Sequence, residues 1–305
     1  MGYISFPGFG IEPFHIDKIA FSVFGRDVAW YGILITIGMI LALVIAFRCA
    51  KFEKIKSDDI VDLALFVIIF GVLGARLYYV LFTWNEFPYL VTSGSFFSNL
   101  WGTFVNIIAI WNGGLAIYGG VIAGIIVGLV FSKIKKISFP KVLDILAPCV
   151  MIGQIIGRWG NFVNMEAHGA ETDLPWKMGL LYGDASTGTW ISETYVHPTF
   201  LYESLWNLIG LIIILCLYKK KKFNGQHAAF YFVWYGFGRM LIEGLRTDSL
   251  YIGPLRVSQI VGLFSVVIGI LMFIFLPKIK SLRLAADAPS ENPEISDKTE
   301  ESDGE

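Results

Sequence analysis

Residues 28–47 read VAWYGILITIGMILALVIAF, a run of 20 residues without a charged side chain. About 20 mostly apolar residues in a helix are enough to cross the hydrocarbon core of a bilayer. The run ends at a basic cluster made of Arg48, Lys51, Lys54 and Lys56. This segment therefore predicts a membrane-spanning helix with a positively charged end.

Six further apolar runs of similar length follow, at residues 60–82, 113–132, 142–160, 198–218, 227–245 and 256–276. None alternates with the period of two that is typical of a transmembrane strand. Of the 305 residues, 55% are hydrophobic and only 16% are charged, whereas soluble domains carry about 25% charged residues. We therefore expect an all-α, polytopic membrane protein with seven transmembrane helices.

The basic clusters predict the orientation of these helices. They follow the first, third, fifth and seventh spans and hold most of the 24 lysines and arginines. Loops rich in lysine and arginine stay in the cytoplasm. We therefore expect the N-terminus outside and the C-terminus in the cytoplasm. After the first cluster, the others contain Lys133, Lys135, Lys136, Lys141, Lys219 to Lys222, Lys278, Lys280, Arg283 and Lys298.

The remaining segments predict the domain organisation. Residues 1–27 are expected to form an arm on the outer face, and residues 28–282 a seven-helix membrane domain. Within that domain, the loops 83–112 and 170–196 are expected to form a small outer-face head. Residues 283–305 are acidic and predict a disordered cytoplasmic tail.

Several arginines lie where a membrane protein rarely tolerates charge. Arg76, Arg158, Arg239 and Arg246 are inside apolar spans or at their ends. A charge at membrane depth is costly and usually lines a cavity or meets a partner. Guanidinium groups bind phosphate and carboxylate in a bidentate way, whereas lysines suit a hydrated anionic surface. The two residue types therefore indicate two different roles.

The fourth span ends in the first polar constellation. On a helix, Gln154, Arg158 and Asn161 share one face, and Asn164 and Glu166 follow where we expect the helix to end. The alternative is a snorkelling arginine at a polar helix terminus.

The sixth span carries the second constellation, in which Tyr235, Arg239, Glu243 and Arg246 form a single stripe. Its net positive charge suits an anionic headgroup. An internal ion-pair network that locks the helices is the alternative, and both interpretations can hold together.

Three further residues are candidates near these stripes. Glu203 falls inside the membrane boundary of the fifth span, where it binds a ligand or serves as the partner of an arginine. Tyr118, which precedes Gly119 and Gly120, lines a cavity or marks tight helix packing. Tyr31 belongs to the site or to an aromatic belt at the interface.

Together these residues predict an outer-facing, arginine-lined cavity inside the bilayer, with a lipid phosphate as its natural guest. The chain has no P-loop, HExxH or GxSxG motif, so we expect no cofactor, no metal and no nucleic-acid partner. A transporter or flippase for an anionic lipid could share such a cavity. The odd number of spans and the lack of an inverted repeat argue against a transporter.

The run Gly157-Arg158-Trp-Gly-Asn161-Phe-Val-Asn164-Met-Glu166-Ala-His-Gly169 resembles the G-R-x-G-N-F-x-N-x-E-x-x-G signature of phosphatidylglycerol–prolipoprotein diacylglyceryl transferases. The similarity extends to Trp30-Tyr31-Gly32, to the glycine pairs at 113–114 and 119–120, to His197-Pro198 with Tyr202-Glu203, and to Tyr235 through Arg246. It covers essentially all seven spans.

This resemblance implies an enzyme of the bacterial cytoplasmic membrane. The enzyme transfers the sn-1,2-diacylglyceryl group from phosphatidylglycerol to the lipobox cysteine of a prolipoprotein signal peptide and releases glycerol 1-phosphate. It also implies that Arg158 binds the headgroup and that Arg239 makes a second phosphate contact. The other matching positions needed for activity are Tyr31, Asn161, Glu166, Gly169, Tyr235 and Glu243.

One position departs from the family. Many members have His-Gly-Gly where this chain has Tyr118-Gly119-Gly120, and that histidine has been considered the base for the thiol. A tyrosine is a poor base at neutral pH. The proton acceptor therefore stays open among Glu166, Glu243, Tyr118 and water.

Overall fold

The computed structural model describes residues 2–86, 96–110, 113–184, 187, 189–279 and 282. Within them the chain forms eight α-helices and eight short β-strands. The helices are α1 Trp30–Glu53, α2 Ser57–Phe82, α3 Phe96–Ile108, α4 Ile117–Lys135, α5 Phe139–Asn164, α6 Thr199–Leu217, α7 Gln226–Glu243 and α8 Val257–Phe275. The strands are β1 Gly2–Phe6, β2 Ile11–His15, β3 Ile19–Val23, β4 Arg26–Ala29, β5 Met178–Asp184, β6 Thr189–Val196, β7 Tyr251–Ile252 and β8 Leu255–Arg256.

The predicted spans coincide with seven of the helices, α1, α2 and α4 to α8. Among the described residues, six of these are long and apolar enough to cross a membrane, so the chain is a multi-pass membrane protein. The helix outside that group is α7, which has 18 residues and carries Arg239 and Glu243. Its polar side chains explain why length and composition alone do not mark it as a span.

Helix α5 lies at the centre of the bundle. It packs against α1, α4, α6 and α7, while α2 packs mainly on α4 and α7 on α8. Met151 of α5 is completely buried, and Ile145 and Ile155 belong to the same core cluster. Since α5 also ends in the polar run around Arg158, the centre of the bundle directly positions that run.

Two tryptophans join α6 to α7. The indole N–H of Trp206 donates to the carbonyl of Trp234 at 2.9 Å, and the indole N–H of Trp234 donates to the carbonyl of Trp206 at the same distance. The two rings stack with centroids 4.5 Å apart. This reciprocal contact sets the register between the helices that carry Glu203 and Arg239.

The glycines after Tyr118 allow α2 and α4 to approach closely. A Cβ atom added to Gly119 would lie 2.2 Å from the carbonyl oxygen of Gly74 on α2, a distance that no real Cβ contact adopts. Small residues at such a crossing are typical of membrane helices. The tight-packing interpretation of Gly119 is therefore confirmed.

The all-α expectation is wrong for the part outside the bundle. An antiparallel sheet has the order β2-β1-β5-β6, and Tyr3 pairs with Leu181. Its inner face packs on α6 through Ile4, Leu180 and Phe200. These strands are short, and β1 pairs with a strand that is far away in the chain. A local hydrophobic pattern does not reveal such a pairing.

At the lysine-rich end of the bundle, a buried carboxylate caps α7 from a neighbouring helix. Asp144 of α5 is fully buried and accepts the backbone N–H groups of His227 and Ala228 at 2.8 and 3.1 Å. Nζ of Lys221 lies 2.9 Å from Oδ2 of Asp144, neutralises this carboxylate and also pairs with Glu53. A carboxylate at a helix N-terminus satisfies free N–H groups, so Asp144 holds the start of α7 against α5.

Candidate active site

A buried carboxylate links three helices at the opposite end of the bundle. Glu203, near the start of α6, is only 2% exposed. Its Oε1 accepts from Nη2 of Arg158 on α5 at 2.6 Å, and its Oε2 accepts from Nη1 of Arg239 on α7 at 2.9 Å. One glutamate therefore bridges the two arginines that the resemblance assigns to the phosphate.

The second carboxylate, Glu243, continues this chain of charges along α7. It is also 2% exposed. Nη2 of Arg239 lies 2.7 Å from its Oε2, and Nε of Arg246 lies 3.9 Å from the same atom. The predicted stripe is thus an ion-pair network, as the alternative interpretation expected.

Among the buried side chains of this network, three arginines face two carboxylates, which gives these five groups a net charge of +1. A third carboxylate, the half-exposed Asp248, pairs with Arg246. The arginine side chains are 20%, 13% and 11% exposed for Arg158, Arg239 and Arg246. Buried charges persist when they are paired, and the unbalanced positive charge favours a bound anion. The arrangement can therefore hold a phosphate without losing its internal pairs.

Amide side chains extend the site from Arg158 to Glu166. Nη1 of Arg158 donates to Oδ1 of Asn161 at 3.1 Å, and Nδ2 of Asn161 donates to Oε1 of Glu166 at 2.9 Å. Asn164 donates to the same oxygen at 3.2 Å. Helix α5 ends at Asn164 and is followed by Met165 in the left-handed conformation, so Glu166 follows the helix as expected, whereas Asn164 still belongs to it. This turn places Glu166 beside Asn161, the hydrogen-bond partner of Arg158.

Gly169 and Arg246 lie on adjacent backbone segments. They form an isolated antiparallel bridge, and the N–H of Gly169 donates to the carbonyl of His197 at 3.0 Å. A Cβ atom on Gly169 would approach Cβ of His197 to 2.6 Å. Gly169 therefore allows the segment after α5, the start of α6 and the end of α7 to meet.

Tyr31 packs on α5, and Tyr235 belongs to α7; both helices carry arginines of the network. The ring of Tyr31 rests on Gly160, where an added Cβ would lie 2.4 Å from Cδ2 of the ring. Tyr235 stacks on Tyr231, with centroids 5.6 Å apart, and lies one turn before Arg239 on α7. Both tyrosines are thus joined to the elements that carry the arginines.

Tyr118 is more loosely placed. It is 36% exposed, and its ring centroid lies 6.4 Å from that of Tyr78. No hydrogen bond of its hydroxyl is found in the part of the chain that the structure describes. Tyr118 therefore packs beside α2, and these contacts do not fix its hydroxyl at the site.

The comparisons with known proteins agree with this geometry. The sequence model of the family described as prolipoprotein diacylglyceryl transferase matches residues 18–275. The chain belongs to the prolipoprotein diacylglyceryl transferase family. The match includes every residue of the candidate site, and the resemblance seen in the signature around Arg158 is thereby confirmed.

Several relatives bear the name phosphatidylglycerol–prolipoprotein diacylglyceryl transferase, and three of them illustrate the similarity. The protein from Finegoldia magna is 45% identical over 258 residues, which cover 84% of this chain and 94% of the relative. The one from Clostridioides difficile is 44% identical over 264 residues, covering 86% and 96%. The one from Listeria innocua is 41% identical over 269 residues, covering 88% and 92%. None of these findings supports the transporter alternative.

Three residues of the site in this transferase were not predicted from the sequence. Ser258 of α8 accepts from Nη2 of Arg239 at 3.2 Å. Arg256 donates to the carbonyls of Glu243 and Arg246, the latter at 3.0 Å. A lone serine gives no signal in a sequence, although Arg256 stands out as a basic residue at the edge of an apolar span.

The third missed residue is Asp248, two positions after Arg246. It accepts from Nε of Arg246 at 2.9 Å and from Nη2 at 2.7 Å. These charge-assisted hydrogen bonds hold the pKa of Asp248 below its usual range. The pair fixes the orientation of the Arg246 guanidinium at the end of α7.

Proposed function

We propose that the chain transfers the sn-1,2-diacylglyceryl group from phosphatidylglycerol to the lipobox cysteine of a bacterial prolipoprotein. The family and the names of its relatives support this reaction. The thiolate sulfur attacks the glyceryl carbon that bears the phosphate, so that a C–S bond forms and the C–O bond breaks. The oxygen keeps the electron pair and leaves as part of glycerol 1-phosphate.

The main structural support for this proposal is the pair of ion pairs that joins Arg158 to Arg239 through Glu203. A guanidinium has five N–H donors, and Arg158 uses two of them for Asn161 and Glu203 in the described part of the chain. Its other donors, with those of Arg239, can bind the phosphodiester and neutralise the charge that develops as it leaves. Preorganised donors of this kind contribute about 3–4 kcal/mol to a transition state.

Glu203 then acts as a positioning residue. Its two oxygens hold the guanidinium groups of Arg158 and Arg239 at one place. Glu243 and Arg246 support Arg239 from α7. Because Gly169 has no side chain, the segment after α5, the start of α6 and the end of α7 can lie close enough together for these contacts. Tyr31, Asn161 and Tyr235 complete the wall around the phosphate.

The contacts favour Glu166 as the acceptor of the thiol proton. Both oxygens of Glu203 and Oε2 of Glu243 face guanidinium groups. Glu166 is exposed, and the hydrogen bonds that its side chain accepts within the described residues both come from neutral amides and both fall on Oε1. Its Oε2 can therefore accept a proton. Glu243, Tyr118 and water are the competing assignments.

We also propose a membrane topology with seven spans. We place α7 as a seventh span, because its polar residues face protein: Glu243 and His227 are only 2% and 3% exposed, and α5, α6 and α8 surround the helix. The lysine clusters then place the C-terminus in the cytoplasm and the arginine site in the outer half of the cytoplasmic membrane. The sheet formed by β1, β2, β5 and β6 would be the outer-face head.

The reaction can be tested with the purified protein, phosphatidylglycerol and a lipobox peptide. Mass spectrometry of the peptide should reveal the added mass of one diacylglyceryl group on cysteine. A peptide with serine in place of that cysteine is the matched control and should stay unmodified. The absence of the thioether product under conditions that support one of the relatives would refute the proposal.

A further inference from the structure

The lysine-rich end of the bundle contains a cavity that the transfer reaction does not use. Its volume is about 380 Å³, and its described wall includes Lys54, Lys56, Lys135, Lys136 and Lys141, with Asp59 as the one acidic residue. Lys141 and Arg158 both belong to α5, and their separation along the helix is about 25 Å. The cavity is therefore distinct from the candidate active site.

Three of these lysines are not neutralised by carboxylates of the described residues. Lys135 pairs with Asp59 at 2.5 Å and with Asp62 at 2.9 Å. Lys141 lies 3.9 Å from Glu53. Within the described part of the chain, Lys54, Lys56 and Lys136 form no ion pair. The cavity thus has a positive charge that the described part of the protein leaves unbalanced.

Two matching turns bring lysines to the cavity. The residue that follows α1 is Lys54, with φ 55°, and the residue that follows α4 is Lys136, with φ 56°. In each turn the N–H of the following isoleucine donates to the last turn of the helix at 3.0 Å: Ile55 to the carbonyl of Ala50, and Ile137 to that of Ser132. Glycine is the usual residue at this left-handed position. Lys54 and Lys136 therefore adopt a strained backbone conformation, but each adds a positive charge to one side of the cavity.

An apolar groove begins one helical turn deeper in the membrane. It lies between α1, α2 and α5, has a volume of about 350 Å³, and is lined by residues that include Leu43, Ile60, Ala64 and Ile145. Lys56 directly precedes α2 and Ile60 lies in the first turn of that helix, and on α5 Ile145 follows Lys141 by one turn. The basic cavity and the apolar groove therefore lie along the same pair of helices.

We propose that the cavity and the groove together bind one anionic phospholipid, with its phosphate among the lysines and an acyl chain in the groove. Basic pockets between membrane helices on the cytoplasmic side are suited to anionic headgroups. A free anion would use the cavity alone, whereas a lipid uses both spaces. The assignment to the cytoplasmic leaflet rests on the proposed topology, but the binding itself does not depend on the proposed function.

The test is a titration of the full-length protein in detergent, followed by native mass spectrometry. The probe is dioleoyl phosphatidylserine, an anionic lipid without the glycerol headgroup of the substrate, and dioleoyl phosphatidylcholine is the neutral comparison. Replacing both Lys54→Gln and Lys136→Gln should raise the Kd of one bound phosphatidylserine at least about tenfold. The matched control, Lys133→Gln with Lys220→Gln, removes the same charge from exposed positions outside the cavity and should leave that Kd unchanged.

A second arm separates a lipid from a free anion. Ala64→Trp fills the groove and keeps every charge, so it should weaken phosphatidylserine binding several-fold without changing the binding of soluble glycerol phosphate. Transfer activity, which depends on the other end of the bundle, reports that each variant is folded. Equal Kd values for the two lysine pairs, or equal binding of both lipids, would overturn the proposal.

Two further outcomes identify another occupant and would equally overturn it. Glycerol phosphate binding as tightly as the lipid, with no effect of Ala64→Trp, would identify an anion site. Binding of phosphatidylserine only after removal of residues 283–305 would identify the acidic segment as the occupant, since Leu282 is held by the N–H of Asn224 in the cavity wall.

Discussion

Replacing Glu203 with glutamine removes the charge that joins two arginines but keeps the size of the side chain. In the structure, its oxygens accept from Arg158 at 2.6 Å and from Arg239 at 2.9 Å. An amide has one acceptor oxygen, so its NH₂ group would face the second guanidinium. Breaking a buried pair by removing one partner costs about 3–5 kcal/mol, and Glu203 is 2% exposed. We expect the free energy of unfolding to fall by about 3 kcal/mol.

The measurement is equilibrium unfolding in mixed micelles, followed by the helical circular dichroism signal. A double-mutant cycle with Arg158→Gln isolates the pair and should give a coupling energy of about 1–3 kcal/mol. The exposed Glu12→Gln is the control and should change stability by less than about 0.5 kcal/mol. Wild-type stability of Glu203→Gln, or strict additivity in the cycle, would refute the bridging role.

Three further predictions concern the surrounding residues. Glu166→Gln should lower kcat by a factor of about 10²–10⁴ while Tyr118→Phe keeps the pH–rate profile; the reverse result would assign the base to Tyr118. Gly160→Ala should displace the ring of Tyr31 and destabilise the protein by about 1–3 kcal/mol, and wild-type unfolding of this variant would contradict that contact. Asp248→Asn should reduce thermal stability at pH 7 by less than about 1 kcal/mol, since the carboxylate is half exposed. Because Arg246 lowers the pKa of Asp248, the stability difference between wild type and variant is complete above the unfolded pKa of about 4 and should vanish as the pH falls through the folded pKa. A stability difference that grows at low pH would contradict the stabilising role of this pair.

The helices could be predicted from the sequence because each apolar run leaves a local signal. The span predicted at 142–160 lies inside α5, Phe139–Asn164, and the span predicted at 227–245 overlaps α7, Gln226–Glu243. The sheet could not be predicted, since β1 pairs with β5, which lies more than half of the chain away. Strands of five to eight residues with mixed burial carry too little pattern to reveal a distant partner.

The site could be predicted in part, for the same physical reason. Helical periodicity placed Arg239, Glu243 and Arg246 on one stripe, and that stripe is confirmed as an ion-pair network. The bridge of Glu203 to two arginines depends on how α5, α6 and α7 pack, which no local pattern contains. The sequence could only indicate that Glu203 needed a partner at membrane depth.

The role of the two arginines at the leaving phosphate is tested most directly by the turnover of Arg158→Ala and Arg239→Ala with phosphatidylglycerol and a lipobox peptide. If the two arginines stabilise the leaving phosphate, each variant should lose a factor of about 10²–10³ in kcat. Arg26→Ala, which removes an exposed arginine from β4, should retain wild-type turnover. Near-normal kcat in either site variant, with unchanged affinity for phosphatidylglycerol, would contradict the proposal that Arg158 and Arg239 stabilise the leaving phosphate.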